Sequence, residues 1–111
     1  LSRYNLFTPR SVAMLLKKIY TKLPKDRWSN IFAAGGVSGT IEKWYEAPTG
    51  EAPYVYAKTG TLSNKHCLSG YLISKSGKVL IFSFMHNNYL GSSAPVKEEM
   101  QVVLEYIRDA F

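Results

Sequence analysis

A chain of 111 residues, 46% hydrophobic and 20% charged, has room for one modest domain and lies outside the composition of disordered chains. It has no apolar run near the roughly 20 residues a bilayer span needs, and no basic-then-apolar leader. The +6 net charge comes from fourteen Lys and Arg against eight Asp and Glu, scattered and interleaved rather than clustered, which argues against nucleic acid as a partner. Cys67 is the sole cysteine, so no disulfide forms within the chain. His66 and His86 lack a convincing third ligand, so no metal site is expected. The chain opens on Leu1 in what reads as a loop, which suggests an incomplete domain.

Thr8 reads as a helix N-cap with Pro9 at the first helical position. Val12, Leu15, Leu16, Ile19, Tyr20 and Leu23 then form one apolar stripe, and Lys17, Lys18 and Lys22 suit the negative end of the helix dipole. Pro24 ends that helix, and a short turn or helical piece is expected from Asp26 to Phe32. Residues 33–40 are small and Gly-rich but match neither a phosphate loop nor a dinucleotide fingerprint. Glu46 to Pro53 reads as an exposed loop.

Strand signals follow at 54–59, 68–74 and 79–86, the last two joined by the tight turn Lys75-Ser76-Gly77-Lys78. The last strand is apolar on both sides, with Leu80, Phe82 and Phe84 against Val79, Ile81 and Met85, which predicts a central strand covered on both faces. A final helix starts near Pro95, capped by Ser92 or Ser93, with Met100, Val103, Leu104, Ile107 and Phe111 as its buried stripe. The expected class is α+β: an antiparallel three-stranded meander flanked by N- and C-terminal helices, both laid on one face.

A self-contained active site is missing. There is no Gly-x-Ser-x-Gly elbow and no useful carboxylate pair, and His66 and Cys67, as neighbours on a strand, point to opposite faces. The tetrapeptide Lys58-Thr59-Gly60-Thr61 stands out at the end of a predicted strand. Lys-Thr-Gly on a strand is a signature of penicillin-recognising serine acyl-transfer enzymes. The two-residue spacing points the Thr59 and Thr61 hydroxyls the same way, and with the Lys58 ammonium they can hold a carboxylate. Gly60 lets a ligand backbone lie close as an added strand, and the Thr61 N–H can donate to an oxyanion.

Longer stretches carry a resemblance. Leu1-Ser2-Arg3-Tyr4-Asn5 with Thr8-Pro9 and Gly36-Val37-Ser38-Gly39-Thr40-Ile41 are similar, in order and spacing, to segments of the D-alanyl-D-alanine carboxypeptidase/endopeptidase family, the class C low-molecular-mass penicillin-binding proteins. So is Ala57-Lys58-Thr59-Gly60-Thr61-Leu62 followed by Leu68-Ser69-Gly70-Tyr71-Leu72. The resemblance implies part of a β-lactamase/transpeptidase-like domain, a serine-type hydrolase of peptidoglycan stem peptides ending in D-Ala-D-Ala, β-lactam binding, no cofactor and an envelope or periplasmic location. It implies that Lys58 polarises the site, that Lys58, Thr59 and Thr61 bind the substrate carboxylate, and that the Thr61 N–H completes the oxyanion hole. The family's Ser-x-x-Lys and Ser-x-Asn motifs do not occur in these 111 residues. The expectation is therefore a C-terminal piece, inactive alone and prone to self-association through surface the rest of the domain would cover. The rivals are a non-catalytic peptide- or carboxylate-binding module and a degenerate homologue.

Other residues read as structural. Gly39-Thr40 is expected to turn at the back of the cleft, Trp28 and Trp44 to pack, Ser63 and Asn64 to form a loop turn, and Asn87-Asn88-Tyr89 to end the last strand.

Overall fold

In the computed structural model, which describes residues 6–111, helix α1 spans Pro9–Lys22 and begins as its sequence predicts. The Ser11 N–H donates to Thr8 Oγ1 at 3.1 Å, and the Thr8 N–H donates back to Ser11 Oγ at 3.2 Å, a reciprocal cap with Pro9 just inside it. Thr8→Ala removes the cap and is expected to cost about 1 kcal/mol, read as a lower urea midpoint. The Leu1–Asn5 part of the resemblance lies outside the described residues.

The buried stripe of α1 is narrower than expected. Leu16 is buried and Val12 and Ile19 pack beside it, whereas Leu15 and Tyr20 are exposed. The short helix α2, Lys25–Ile31, supplies the rest of that layer through the fully buried Trp28. Its ring centroid lies 4.4 Å from that of Tyr71, whose hydroxyl donates to the Leu16 carbonyl at 2.7 Å. This ties the helical layer to the sheet.

The sheet has four antiparallel strands in the order β1 (Ala33–Ala34), β2 (Val55–Leu62), β3 (Lys65–Ile73) and β4 (Val79–Asn87). The predicted meander is β2-β3-β4. The two-alanine β1 is an addition that the sequence did not signal. It pairs Ala33 with Ala57 and Ala34 with Tyr56. The β2–β3 hairpin closes at the pair Leu62 and Lys65, with Asn64 at φ 60° in the turn.

Two expectations need correction. The helices do not share one face: strand alternation sends Val55, Ala57, Leu68 and Leu72 to helix α3 (Ala94–Ala110), and Tyr56 and Tyr71 to α1 and α2. The result is three layers, with the sheet in the middle. Strand β4, predicted central, lies outermost among the described strands, although Leu80, Phe82 and Phe84 pack on the α3 side and Val79 and Ile81 on the other. Its two apolar faces are explained by the helices above and below rather than by strands on either side.

Helix α3 buries Val96, Met100 and Leu104 against the sheet, while Val103 and Phe111 of its predicted stripe are exposed. Ser93 stands at the N-cap position but its side chain makes no capping bond. Among the described residues no helix is long and apolar enough to cross a membrane.

Candidate active site

Strand β1 ends early, and this creates the site. It covers β2 only at Tyr56 and Ala57, so among the described residues no strand pairs with the outer edge of β2 from Lys58 to Leu62. The direction of the backbone groups there follows from register. The Val55 carbonyl turns outward to accept from the Gly35 N–H at 2.9 Å, and the Tyr54 carbonyl turns inward to the Ile73 N–H at 2.8 Å. The antiparallel alternation carries on along the strand. The N–H and C=O groups of Thr59 and Thr61 therefore face the open edge, while those of Lys58 and Gly60 pair with β3.

The side chains sort by parity. Thr59 and Thr61 share the α3 face of the sheet with Val55 and Ala57, as their spacing predicted. Lys58 leaves from the opposite face, but its ammonium folds back to the edge, where Nζ donates to the Thr59 carbonyl at 2.7 Å. Cation, two hydroxyls and two outward N–H groups thus converge on a short length of strand. Gly60 has a steric reason on the β3 side as well: a Cβ there would stand 2.8 Å from Cys67 Sγ.

Two residues that the sequence reading left out of the site touch it. The Thr40 hydroxyl, in the 3₁₀ turn Gly39–Ile41, lies 2.6 Å from that of Thr59. The buried imidazole of His66, weighed from sequence only as a metal ligand or a partner for Cys67, places Nδ1 2.9 Å from Thr61 Oγ1. A signal for His66 existed: a two-residue turn at Ser63-Asn64 pairs Thr61 with His66 directly. Thr40 offered none, being nineteen residues from its partner.

Thr40, Trp44, Thr59, His66 and Lys97 line a small cavity behind the strand, with no acidic side chain among its walls. Lys97 lies 6.0 Å from the Trp44 ring centroid. Trp28 and Trp44 both pack, as expected. With Lys58 at the edge and Lys97 behind it, the electrostatics favour an anion. Among the described residues no cluster of three or more His, Cys, Asp or Glu side chains is arranged to hold a metal.

Burial, then the positive charge of Lys97 and the neighbouring His86, hold the His66 imidazole below its ordinary value of 6.5. In the unfolded chain it takes up its proton near that ordinary value. The unfolded state thus binds more protons just below it, and stability present above pH ~6.5 is lost as the pH falls toward the lowered folded value. Urea midpoints should drop between pH 7.5 and 5.5, and should drop less in His66→Asn.

Known proteins share this fold and family. The fold overlays penicillin-binding protein 4 of Haemophilus influenzae with a TM-score of 0.81 at 24% identity, over 97% of this chain and 26% of that one. A structure of the same Haemophilus protein complexed with a novel β-lactam gives a TM-score of 0.82 at 25% identity, over 98% and 27%. Residues 1–107 match the D-Ala-D-Ala carboxypeptidase 3 (S13) family, and the chain belongs to that family. It is also similar to penicillin-sensitive carboxypeptidase A of Dictyostelium discoideum, 27% identical over 79% of this chain and 18% of that protein. A Mycobacterium tuberculosis carboxypeptidase is 44% identical over 49% of this chain and 12% of its own. The chain thus spans less than a fifth of these curated relatives and about a quarter of the solved structures.

Proposed function

We propose that these 111 residues form one wall of the cleft of a serine-type D-Ala-D-Ala carboxypeptidase that works on peptidoglycan stem peptides in the cell envelope, periplasmic in a diderm cell. The observation that carries this reading is the open edge of β2, where outward backbone groups of Thr59 and Thr61 stand beside the Lys58 ammonium. A stem peptide laid along that edge pairs with Thr59 and Thr61 as an added strand. Its terminal carboxylate draws the ammonium off the Thr59 carbonyl and accepts from the threonine hydroxyls. The scissile carbonyl oxygen, as it becomes an oxyanion, takes the Thr61 N–H as one donor. A serine outside these residues attacks, terminal D-Ala leaves with a proton, and water hydrolyses the ester. The family's Ser-x-x-Lys and Ser-x-Asn motifs do not occur here, so the chain alone is not expected to acylate.

The apolar residues that α1 and α3 leave exposed, Met14 and Leu15 on the one and Val102, Val103 and Tyr106 on the other, fit surface covered by the rest of such a domain. Sedimentation of the 111-residue chain should show self-association rising with concentration.

Intact mass after incubation with benzylpenicillin, on this chain and on the product of the full reading frame, tests the reading. A penicilloyl adduct on the long form alone is the expected result. No adduct on either leaves the β2 edge as a peptide-binding surface without catalysis.

A further inference from the structure

His66 is 3% exposed, yet its one hydrogen bond to a site residue is to the exposed Thr61. A threonine hydroxyl has a single proton, which fixes what that bond must be. If Thr61 donates to a bare Nδ1, its oxygen meets a ligand carboxylate with lone pairs only, and the contact is repulsive. If Nδ1 carries the proton, it donates to Oγ1, and the Thr61 O–H is free to turn outward.

We propose that His66 is a positioning residue for the carboxylate site: its Nδ1–H donates to Thr61 Oγ1 and so keeps the Thr61 hydroxyl a donor to the ligand. This rests on the function proposed above.

The placement suits the role. Thr61 and His66 are direct cross-strand partners, and the hairpin closes one pair further on, which leaves the imidazole little room to shift register. The charged and titratable groups packed around it are His86 on β4 and Lys97 on α3, with Tyr45 lining the same cavity. Both His86 and Lys97 disfavour a further charge, so the ring is neutral at neutral pH and the question is which nitrogen holds the one proton. Thr59 has a comparable neighbour in the Thr40 hydroxyl, 2.6 Å away, and either oxygen of that pair can donate. Each site hydroxyl thus has one polar group behind it, and where that group donates, the threonine proton is free for a ligand.

Two measurements on the product of the full reading frame decide this. Long-range ¹H–¹⁵N spectra of histidine-labelled protein at pH 7.5 report the tautomer directly. A protonated Nδ1 on His66 is expected, and a bare Nδ1 overturns the proposal. Acylation by benzylpenicillin, which carries the carboxylate, is then followed in wild type, His66→Ala, His66→Asn, Thr61→Val and the double variant with Ala at 66 and Val at 61. His66→Ala should slow acylation about tenfold, mainly through weaker initial binding rather than a slower chemical step. His66→Asn, which returns an N–H near the Nδ1 position, should recover most of that loss. In the Thr61→Val background the loss of the imidazole should have no further effect. An undiminished His66 effect there marks a merely structural role and overturns the proposal. Absence of any adduct on the wild type is a different failure, that of the carboxypeptidase reading itself, and the carboxylate role falls with it.

Discussion

Lys58→Ala in the product of the full reading frame is expected to slow acylation by benzylpenicillin by roughly 10–100-fold, the worth of a hydrogen bond to a charged partner. The fold should not notice, because Lys58 is exposed and its ammonium rests on the Thr59 carbonyl rather than on another element. That carbonyl faces the open edge, so the ammonium sits where a ligand would arrive. Lys58→Met keeps the aliphatic stem and should lose as much as Ala, which isolates the charge. Lys58→Arg should recover only part, since a planar fork does not reproduce a compact ammonium. Rates by stopped-flow with circular dichroism as a folding control make the check. Wild-type acylation in Lys58→Met would remove the cation from the site.

Gly70→Ala should be the most damaging single methyl in the molecule. Gly70 is paired with Ala57 in the middle of the β2–β3 ladder, and a Cβ there would stand 2.1 Å from the Tyr56 carbonyl oxygen and 2.6 Å from Ala57 Cα. Those are backbone atoms and cannot rotate away, so the strands must part. Overpacking typically costs 1–3 kcal/mol, and a clash with backbone belongs at or above about 3 kcal/mol. Loss of a cooperative thermal transition, or a poorly soluble product, is the expected observation. Ala57→Gly removes only the contact with the Ala57 side chain, so the double variant should not recover. Because β2 carries Lys58, Thr59 and Thr61, a Gly70→Ala form of the full reading-frame product that survives should also acylate slowly.

Local chemistry made much of the fold legible. Thr8 and Pro9 marked the start of α1 to the residue, and the turn at 75–78 joined two strands of β-formers. The layering was misjudged because helices were assigned to one face, while the two apolar sides of 79–86 and the Tyr56 and Tyr71 rows already implied cover on both. Two alanines carry no strand signal, so β1 was invisible; it exists because the chain before the Gly-rich turn lies along Tyr56 and Ala57. Of the candidate site, Lys58, Thr59, Gly60 and Thr61 were readable as a motif at a strand end. The contact from Thr40 was not, since only the folded path of residues 41–54 brings its hydroxyl to Thr59.

The shortness of β1 also sets a length scale. By stopping at Ala57 it leaves two outward rungs of β2, at Thr59 and Thr61, between its own last pair and the hairpin turn. On the function proposed above, an edge of two rungs would measure its guest in residues: among the described residues it has room to pair with the end of a peptide and not with a long extended chain. Two more residues of pairing in β1 would cap Thr59 and turn a docking ledge into ordinary sheet. Where that small strand gives out would thus act as a ruler, and its end sets how many outward rungs of β2 stay unpaired among the described residues.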